Sequence, residues 1–264
     1  MMIRTYGQAP YRTAVIHGGP GAPGSAAGLA RGLADRIGVL EPLQSARSIA
    51  AAVAELDGQL PAGEGPFVLI GHSWGAWLAG LYAAGHPDRV KKLILVGCGP
   101  LEAKYVPAIE HRRLARFSGP ETRRYREILA ALASDRADGG EKDRLIAELG
   151  ELCEKSDGFQ PLPDAAEAAG QPPFDGDMYA KLFGEAAELR RTGKLLDAFA
   201  AVACPVCVIH GEADPHPAAG IVEPLRARGV AFAGFMLPHC GHTPWREAAA
   251  RDEFFAILRR EIGC

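Results

Sequence analysis

Short apolar runs alternate with stretches in which apolar residues fall at helical spacing. The runs Thr13–His17, Gly38–Glu41, Pro66–Gly71 and Lys91–Gly97 predict strands, and Ser25–Ile37, Ser45–Leu60 and Trp74–Gly85 predict helices between them. That alternation argues for an α/β fold with a mostly parallel sheet and helices on both faces. Unbroken apolar strands such as Leu93-Ile94-Leu95-Val96 suit a sheet covered on both sides. From about Leu101 to Ala200 the pattern changes and no strand is predicted. Ser118-Gly119-Pro120-Glu121 reads as a helix start, with a capping Ser, Pro in the first turn and Glu at the third position. Glu141–Leu152 and Met178–Arg191 carry leucines at helical spacing. Pro161-Leu162-Pro163, Gly170-Gln171-Pro172-Pro173 and Asp175-Gly176-Asp177 supply the turns. Strand patterns resume at Val206–His210 and Val230–Leu237, and Glu247–Ile262 closes the chain as a helix with Phe254, Phe255, Leu258 and Ile262 facing inward. The expected organisation is a core from residues 1–100 and 201–264, with a helical cap at 101–200.

Composition narrows this picture. The chain has 264 residues, 48% hydrophobic and 23% charged, which fits one large globular domain. A net charge of -3 gives no reason to expect a nucleic-acid partner. No apolar run reaches the length of a membrane span. Thr13–Ile16 is too short for a signal-peptide core, so a cytoplasmic location is expected. The six cysteines are scattered and are expected as free thiols. Cys204 and Cys207 match a C-x-x-C spacing, but strand residues three apart point to opposite faces, so no joint metal site is expected. His239, Cys240 and His242 invite a metal reading but lack a second ligand cluster, and no metal or other cofactor is expected.

The densest chemistry lies at Gly71-His72-Ser73-Trp74-Gly75, between a predicted strand and a predicted helix. A Ser flanked by glycines at such a junction is the signature of a nucleophile elbow, whose tight turn exposes the hydroxyl above the sheet. A Ser hydroxyl needs a base to take its proton, and the base needs an acid to orient it. Asp214, on the turn after Val206–His210, is the expected acid, with Glu212 as the fallback. His242, after Gly241 on the loop before the last helix, is the expected base, and His239 is its structural competitor. Two backbone N–H donors must hold the developing oxyanion. Trp74, after the Ser, supplies one; Gly19, in His17-Gly18-Gly19-Pro20-Gly21, supplies the other because Pro20 has no N–H. That loop lacks the Lys-Ser/Thr ending of a nucleotide-binding loop.

These motifs, spread from His17 to His242, resemble the α/β-hydrolase superfamily over most of the chain. His-Gly-Gly-Pro-Gly, Ser-Trp-Gly and Cys240-Gly241-His242 are most similar to the proline iminopeptidase branch. That branch usually carries Gly at the position of His72 and Gly-Arg where this chain has Gly211-Glu212. Met1 to Tyr11 are also too few for the two long N-terminal strands usual in the superfamily, and Gly38–Pro42 stands where its second long loop would carry Arg-Gly-x-Gly. The resemblance implies a cofactor-free serine hydrolase acting on a small ester or amide. An iminopeptidase-like aminopeptidase is the alternative, and a non-catalytic binding protein of the same fold is the third reading. An aminopeptidase would need a carboxylate for the substrate amine, and Glu151, Glu154, Glu185 and Glu188 are the candidates in the cap. The run Arg112, Arg113, Arg116, Arg123, Arg124 and Arg126 reads either as an anion-recruiting patch or as a solvated helix face. Trp77 is assigned to the core. The oligomeric state is left open.

Overall fold

A computed structural model describes residues 2–134, 138–163 and 172–264. Seven strands form one sheet: β1 (Met2–Tyr6), β2 (Tyr11–Ile16), β3 (Gly38–Leu43), β4 (Phe67–His72), β5 (Val90–Val96), β6 (Val206–Gly211) and β7 (Phe232–Leu237). Their spatial order is β1-β3-β2-β4-β5-β6-β7. Only β1 runs antiparallel, pairing Met2 with Leu43 through Tyr6 with Val39; β2 to β7 are parallel. This is the α/β-hydrolase fold, with β4 at the centre of the sheet. Its apolar run is buried at every position, as a strand covered on both faces requires.

Helices α1 (Ala27–Arg31), α2 (Ile49–Gln59), α3 (Trp74–Gly85), α9 (Ala219–Ala227) and α10 (Arg251–Ile262) accompany the sheet. Two apolar clusters lie on its two faces. Leu69, Leu78, Tyr82 and Phe199 belong to one; Ile70, Leu33, Phe254 and Leu258 belong to the other. The helix expected at Ser25–Ile37 is shorter than its pattern, covering only Ala27–Arg31. The chain then turns at Gly32, where an added Cβ would lie 2.1 Å from the Phe255 ring. α2 starts at Ile49, later than expected, because the Ser48 side chain caps it by accepting the Ala51 N–H at 3.3 Å. α10 starts at Arg251 instead of Glu247, because Pro244–Arg246 forms a separate 3-10 turn.

Between β5 and β6 the regular elements of the described residues are helical, apart from an isolated bridge between Pro161 and Glu247. They are α4 (Val106–Leu114), α5 (Gly119–Leu132), α6 (Gly139–Asp157), α7 (Gly176–Arg191) and α8 (Lys194–Ala200). Ser118 and Glu121 form the reciprocal capping box that the sequence announces for α5. α5 and α6 close a third, small core of Tyr125, Ile128, Leu132, Leu145, Ile146 and Leu149. α7 instead lays Met178, Leu182 and Ala186, each four residues apart, on the main core. Of the expected turn at Gly170–Pro173, Gly170 and Gln171 lie outside the described residues. Among the described residues no helix is long and apolar enough to cross a membrane.

The Gly32–Phe255 contact gives a stability prediction. Gly32→Ala forces a methyl into a filled space and should cost about 1–3 kcal/mol. Urea unfolding should show a lower midpoint with an unchanged slope, and an unchanged midpoint would refute the packing account.

Candidate active site

Ser73 sits between the end of β4 and the start of α3 with φ 53° and ψ −118°. Among the described residues, only His239 shares a positive φ without being glycine. Close packing keeps the flanking positions free of side chains. A Cβ on Gly71 would lie 2.4 Å from the Gly75 carbonyl oxygen, and one on Gly75 would lie 2.2 Å from the Ile16 carbonyl oxygen. The end of β2 therefore leaves no room beside the turn. The Ser73 N–H donates to the Val96 carbonyl at 3.0 Å, and its side chain is partly exposed.

The glycine loop after β2 lies against this serine. A Cβ on Gly18 would be 3.2 Å from Ser73 Cβ and 2.8 Å from His72 Nδ1. His17 holds the loop in place. Its Nε2 accepts the Gln44 N–H at 3.2 Å, so the proton is on Nδ1, which donates to the Gly18 carbonyl at 3.0 Å. Burial pushes the His17 pKa down to about 4, which keeps the ring neutral. Gln44 also accepts the Trp74 indole N–H at 2.8 Å, linking this loop to the start of α3. Trp74 is the first residue of α3, so its backbone N–H has no intrahelical acceptor.

Asp214 and His242 meet across two loops. His242 Nδ1 donates to Asp214 Oδ2 at 2.8 Å, and the Asp214 side chain is fully buried. Glu212, the fallback acid, is exposed and contributes its N–H to the Leu237 carbonyl. His239 is exposed, with its ring 5.3 Å from that of Phe159. His72, the residue before the serine, packs on His242. Its Nε2–H donates to the His242 carbonyl at 2.9 Å, and the two ring centroids are 4.6 Å apart. Gly97 packs on the same imidazole: a Cβ there would be 3.0 Å from His242 Nδ1.

The electrostatics follow from burial and from these partners. Burial alone would raise the Asp214 pKa, but the imidazoles of His242, His216 and His210 hold it well below the carboxylate range. Burial disfavours the His242 cation, yet the Asp214 carboxylate, supported by Asp157, raises its pKa above the ordinary 6.5. His72 falls well below its ordinary value, by burial and then by the neighbouring His242.

Several supporting residues carry no motif. His216 shares Asp214: its backbone N–H and ring Nδ1–H donate to Oδ1 at 2.8 and 2.9 Å. The Asp157 carbonyl accepts the His242 N–H at 2.8 Å. The Asp157 carboxylate receives Arg113 through two hydrogen bonds of 2.9 and 2.5 Å. Arg112 donates to the Asp214 carbonyl at 3.0 Å, and Arg116 to the carbonyls of Ala213, at 2.7 Å, and Ser156. Glu247, fully buried, accepts the N–H groups of Gly241, Phe159 and Gln160 at 2.9, 2.8 and 2.7 Å. The arginine run thus divides. Arg112 and Arg116 tie the inserted segment to the acid loop, Arg113 pairs with Asp157 at the end of α6, and Arg124 and Arg126 make outer pairs with Glu148 and Glu110. The sequence showed the charges but not the carbonyls they reach.

The remaining candidates fall elsewhere. Glu154 pairs with Arg246, Glu185 accepts the Ile49 N–H at 2.8 Å, Glu188 pairs with Arg191, and Glu151 is exposed. Trp77 is buried in the core, and the cysteines are free. Asp214, His216 and His242 bring one donor atom each within 4.8 Å of one another. Both carboxylate oxygens and both Nδ1 atoms are already spent on mutual hydrogen bonds.

Comparison with known proteins agrees with this architecture. The profile of the family described as "Alpha/beta hydrolase family" matches residues 15–257. No curated protein matches the chain. Among solved structures, E-2-(acetamidomethylene)succinate hydrolase is 20% identical, with 99% of this chain and 94% of that one covered and a TM-score of 0.61. The thioesterase domain from the curacin biosynthetic pathway is 18% identical, with 97% and 94% covered and a TM-score of 0.61. A lipase in an open form is 16% identical, with 99% and 93% covered and a TM-score of 0.61. At these identities the likeness is one of fold.

The buried Arg113–Asp157 pair makes a prediction. Asp157→Ala removes one partner and leaves the guanidinium without its counter-charge, which should cost about 3–5 kcal/mol in urea unfolding. A loss below about 1 kcal/mol would show that the pair does not brace the His242 loop.

Proposed function

The chain belongs to the alpha/beta hydrolase family, and within it we propose a serine hydrolase that cleaves a small ester or amide through an acyl-enzyme. The observation that carries the proposal is the convergence of three loops. Ser73, on a strained turn, and its neighbour His72 both pack against the loop at Gly18, and His72 contacts an imidazole hydrogen-bonded to a buried carboxylate. Strain of this kind is kept where surrounding structure enforces it, and it clusters at reacting groups.

In this mechanism His242 Nε2 takes the Ser73 hydroxyl proton as Oγ bonds to the substrate carbonyl carbon. The carbonyl π pair moves to oxygen, where the N–H groups of Gly19 and Trp74 hold the charge. Asp214 keeps the His242 proton on Nδ1 and stabilises the imidazolium. Collapse of the tetrahedral intermediate breaks the bond to the leaving group, which departs with the proton from His242. Water then gives a proton to His242 and its oxygen to the acyl carbon. A second collapse releases the acid and returns the proton to Ser73. No step needs a cofactor.

We assign substrate choice to the helices of residues 101–200, acting as a cap. Three contacts support this: Arg112 and Arg116 reach the acid loop, the Asp157 carbonyl holds His242, and the Asp175 N–H donates to the Gly21 carbonyl at 2.9 Å. An ester fits better than an aminoacyl substrate. Among the described residues, the acids considered for an amine are engaged elsewhere or exposed. The proline iminopeptidase reading remains the comparison to beat.

A fluorophosphonate probe should label Ser73, and Ser73→Ala should lose about four to six orders of magnitude in turnover. Asp214→Asn should cost about 10⁴ in kcat, whereas Glu212→Gln should cost little. Full activity in Ser73→Ala would end the proposal. After correction for leaving-group reactivity, kcat/KM should favour p-nitrophenyl butyrate over proline p-nitroanilide. The opposite order would establish the iminopeptidase reading.

Activity should also rise with pH. The working form of His242 is neutral, and its raised pKa keeps the proton on to higher pH. The half-point of kcat/KM should therefore lie above 6.5. A half-point below 6.5 would mean that Asp214 does not govern the base.

A further inference from the structure

Asp214 serves two imidazoles. Oδ2 takes the His242 Nδ1–H at 2.8 Å, while Oδ1 takes both the backbone N–H and the ring Nδ1–H of His216, at 2.8 and 2.9 Å. The His216 ring stacks on His242, with centroids 4.3 Å apart and planes at 26°. His216 is itself fixed by His210, whose Nε2–H donates to its carbonyl at 2.7 Å. The reaction steps above leave His216 without a part.

We infer that His216 is a positioning residue: it holds Oδ1 of Asp214 and one face of His242, and so fixes the direction from which Oδ2 meets the His242 ring. The inference rests on the reading of Ser73, His242 and Asp214 as a triad. A carboxylate turns easily about its terminal torsion, which has broad, roughly two-fold wells. Two donors converging on one oxygen remove that freedom. They also draw electron density from the carboxylate and weaken its pull on the His242 proton. Burial, and then the charge of His242, lower the His216 pKa to about 4, so its ring stays neutral while His242 titrates. A neutral ring with Nδ1–H on the carboxylate is the form the geometry requires.

The groups facing His242 come from several elements. Asp214, His216 and His210 come from β6 and its loop, His72 from β4, Asp157 from α6 and Arg113 from α4. Arg112 reaches the Asp214 carbonyl. These groups are common to every variant at residue 216, so comparing a donor with a ring there assigns a changed His242 titration to the Oδ1 hydrogen bond or to the stacked face.

Two substitutions separate donor from ring. His216→Asn keeps a side-chain N–H for Oδ1 without an imidazole, and His216→Phe keeps a stacking ring without the donor. The His242 pKa is read by NMR titration of the full chain carrying ring-labelled histidine, and kcat and KM by ester hydrolysis. His216→Phe should raise the His242 pKa and lower kcat about ten- to a hundredfold with KM nearly unchanged. His216→Asn should keep the wild-type titration and most of kcat. Should the Phe chain not fold, His216→Ala removes the donor without crowding and is expected to behave the same way. A donor-free variant with wild-type pKa and kcat overturns the inference. So does an equal loss in the Asn and Phe variants with no change in titration, which marks a packing role alone. The titration needs no turnover. A His242 pKa that responds to residue 216 in a chain inactive on every ester and amide tested, and not labelled by fluorophosphonate, keeps the coupling and sinks the hydrolase reading. An active chain whose His242 ignores residue 216 does the reverse.

Discussion

A carboxylate sealed from water imposes the strictest condition on this structure. Asp214 has no exposed side chain, and an unpaired buried charge of that kind costs several kcal/mol. The loop after β6 meets the condition by bringing donors to both oxygens: His242 on one, His216 twice on the other. Each donor needs its own support. His242 is held through its backbone by Asp157 and His72, and His216 through its carbonyl by His210. Asp157 in turn needs Arg113, and the neighbouring Gly241 needs Glu247. The chain of dependence begins at one acid and runs into the inserted helices.

The local signals in the sequence carried far. The apolar run of β4, the glycines around Ser73 and the capping box at Ser118 are written in adjacent residues, so their periodicity and spacing reveal them. The mostly parallel α/β sheet followed from that grammar, and the α/β-hydrolase fold from the resemblance of the motifs between His17 and His242. Helix ends were less faithful. The pattern of Ser25–Ile37 continues past the point where Gly32 must give way to Phe255, more than two hundred residues later in the chain. The start of α10 was misplaced for a related reason. Glu247 looks like a first-turn helix acid, but its carboxylate serves three N–H groups on other loops.

The candidate site was legible where chemistry demands a residue type and obscure where it demands only a hydrogen bond. Ser73, Asp214 and His242 stood out by motif, and the structure brings the last two into contact. His216 was in plain view in Asp-Pro-His-Pro, yet nothing in those letters says that its ring turns back onto the acid. Asp157 and Arg113, more than forty positions apart, became partners only once α4 and α6 were packed. The arginine run looked like one feature and is two, because the carbonyls that Arg112 and Arg116 reach leave no trace in composition.

Those carbonyls bear on how this protein can change over generations. Arg112 and Arg116 grip the backbone oxygens of Asp214, Ala213 and Ser156, not their side chains. Every residue carries such an oxygen, so the grip does not depend on what stands at positions 213 or 156. At position 213 a substitution keeps that oxygen provided the local backbone path survives, whereas Ser156 is buried and its hydroxyl also donates to Asp157 Oδ1 at 2.6 Å. Part of the attachment of the inserted helices therefore reaches backbone atoms, alongside side-chain pairs such as Arg47 with Asp175 and Arg246 with Glu154. At Ala213 the constraint falls on the arginine and not on the residue it reaches.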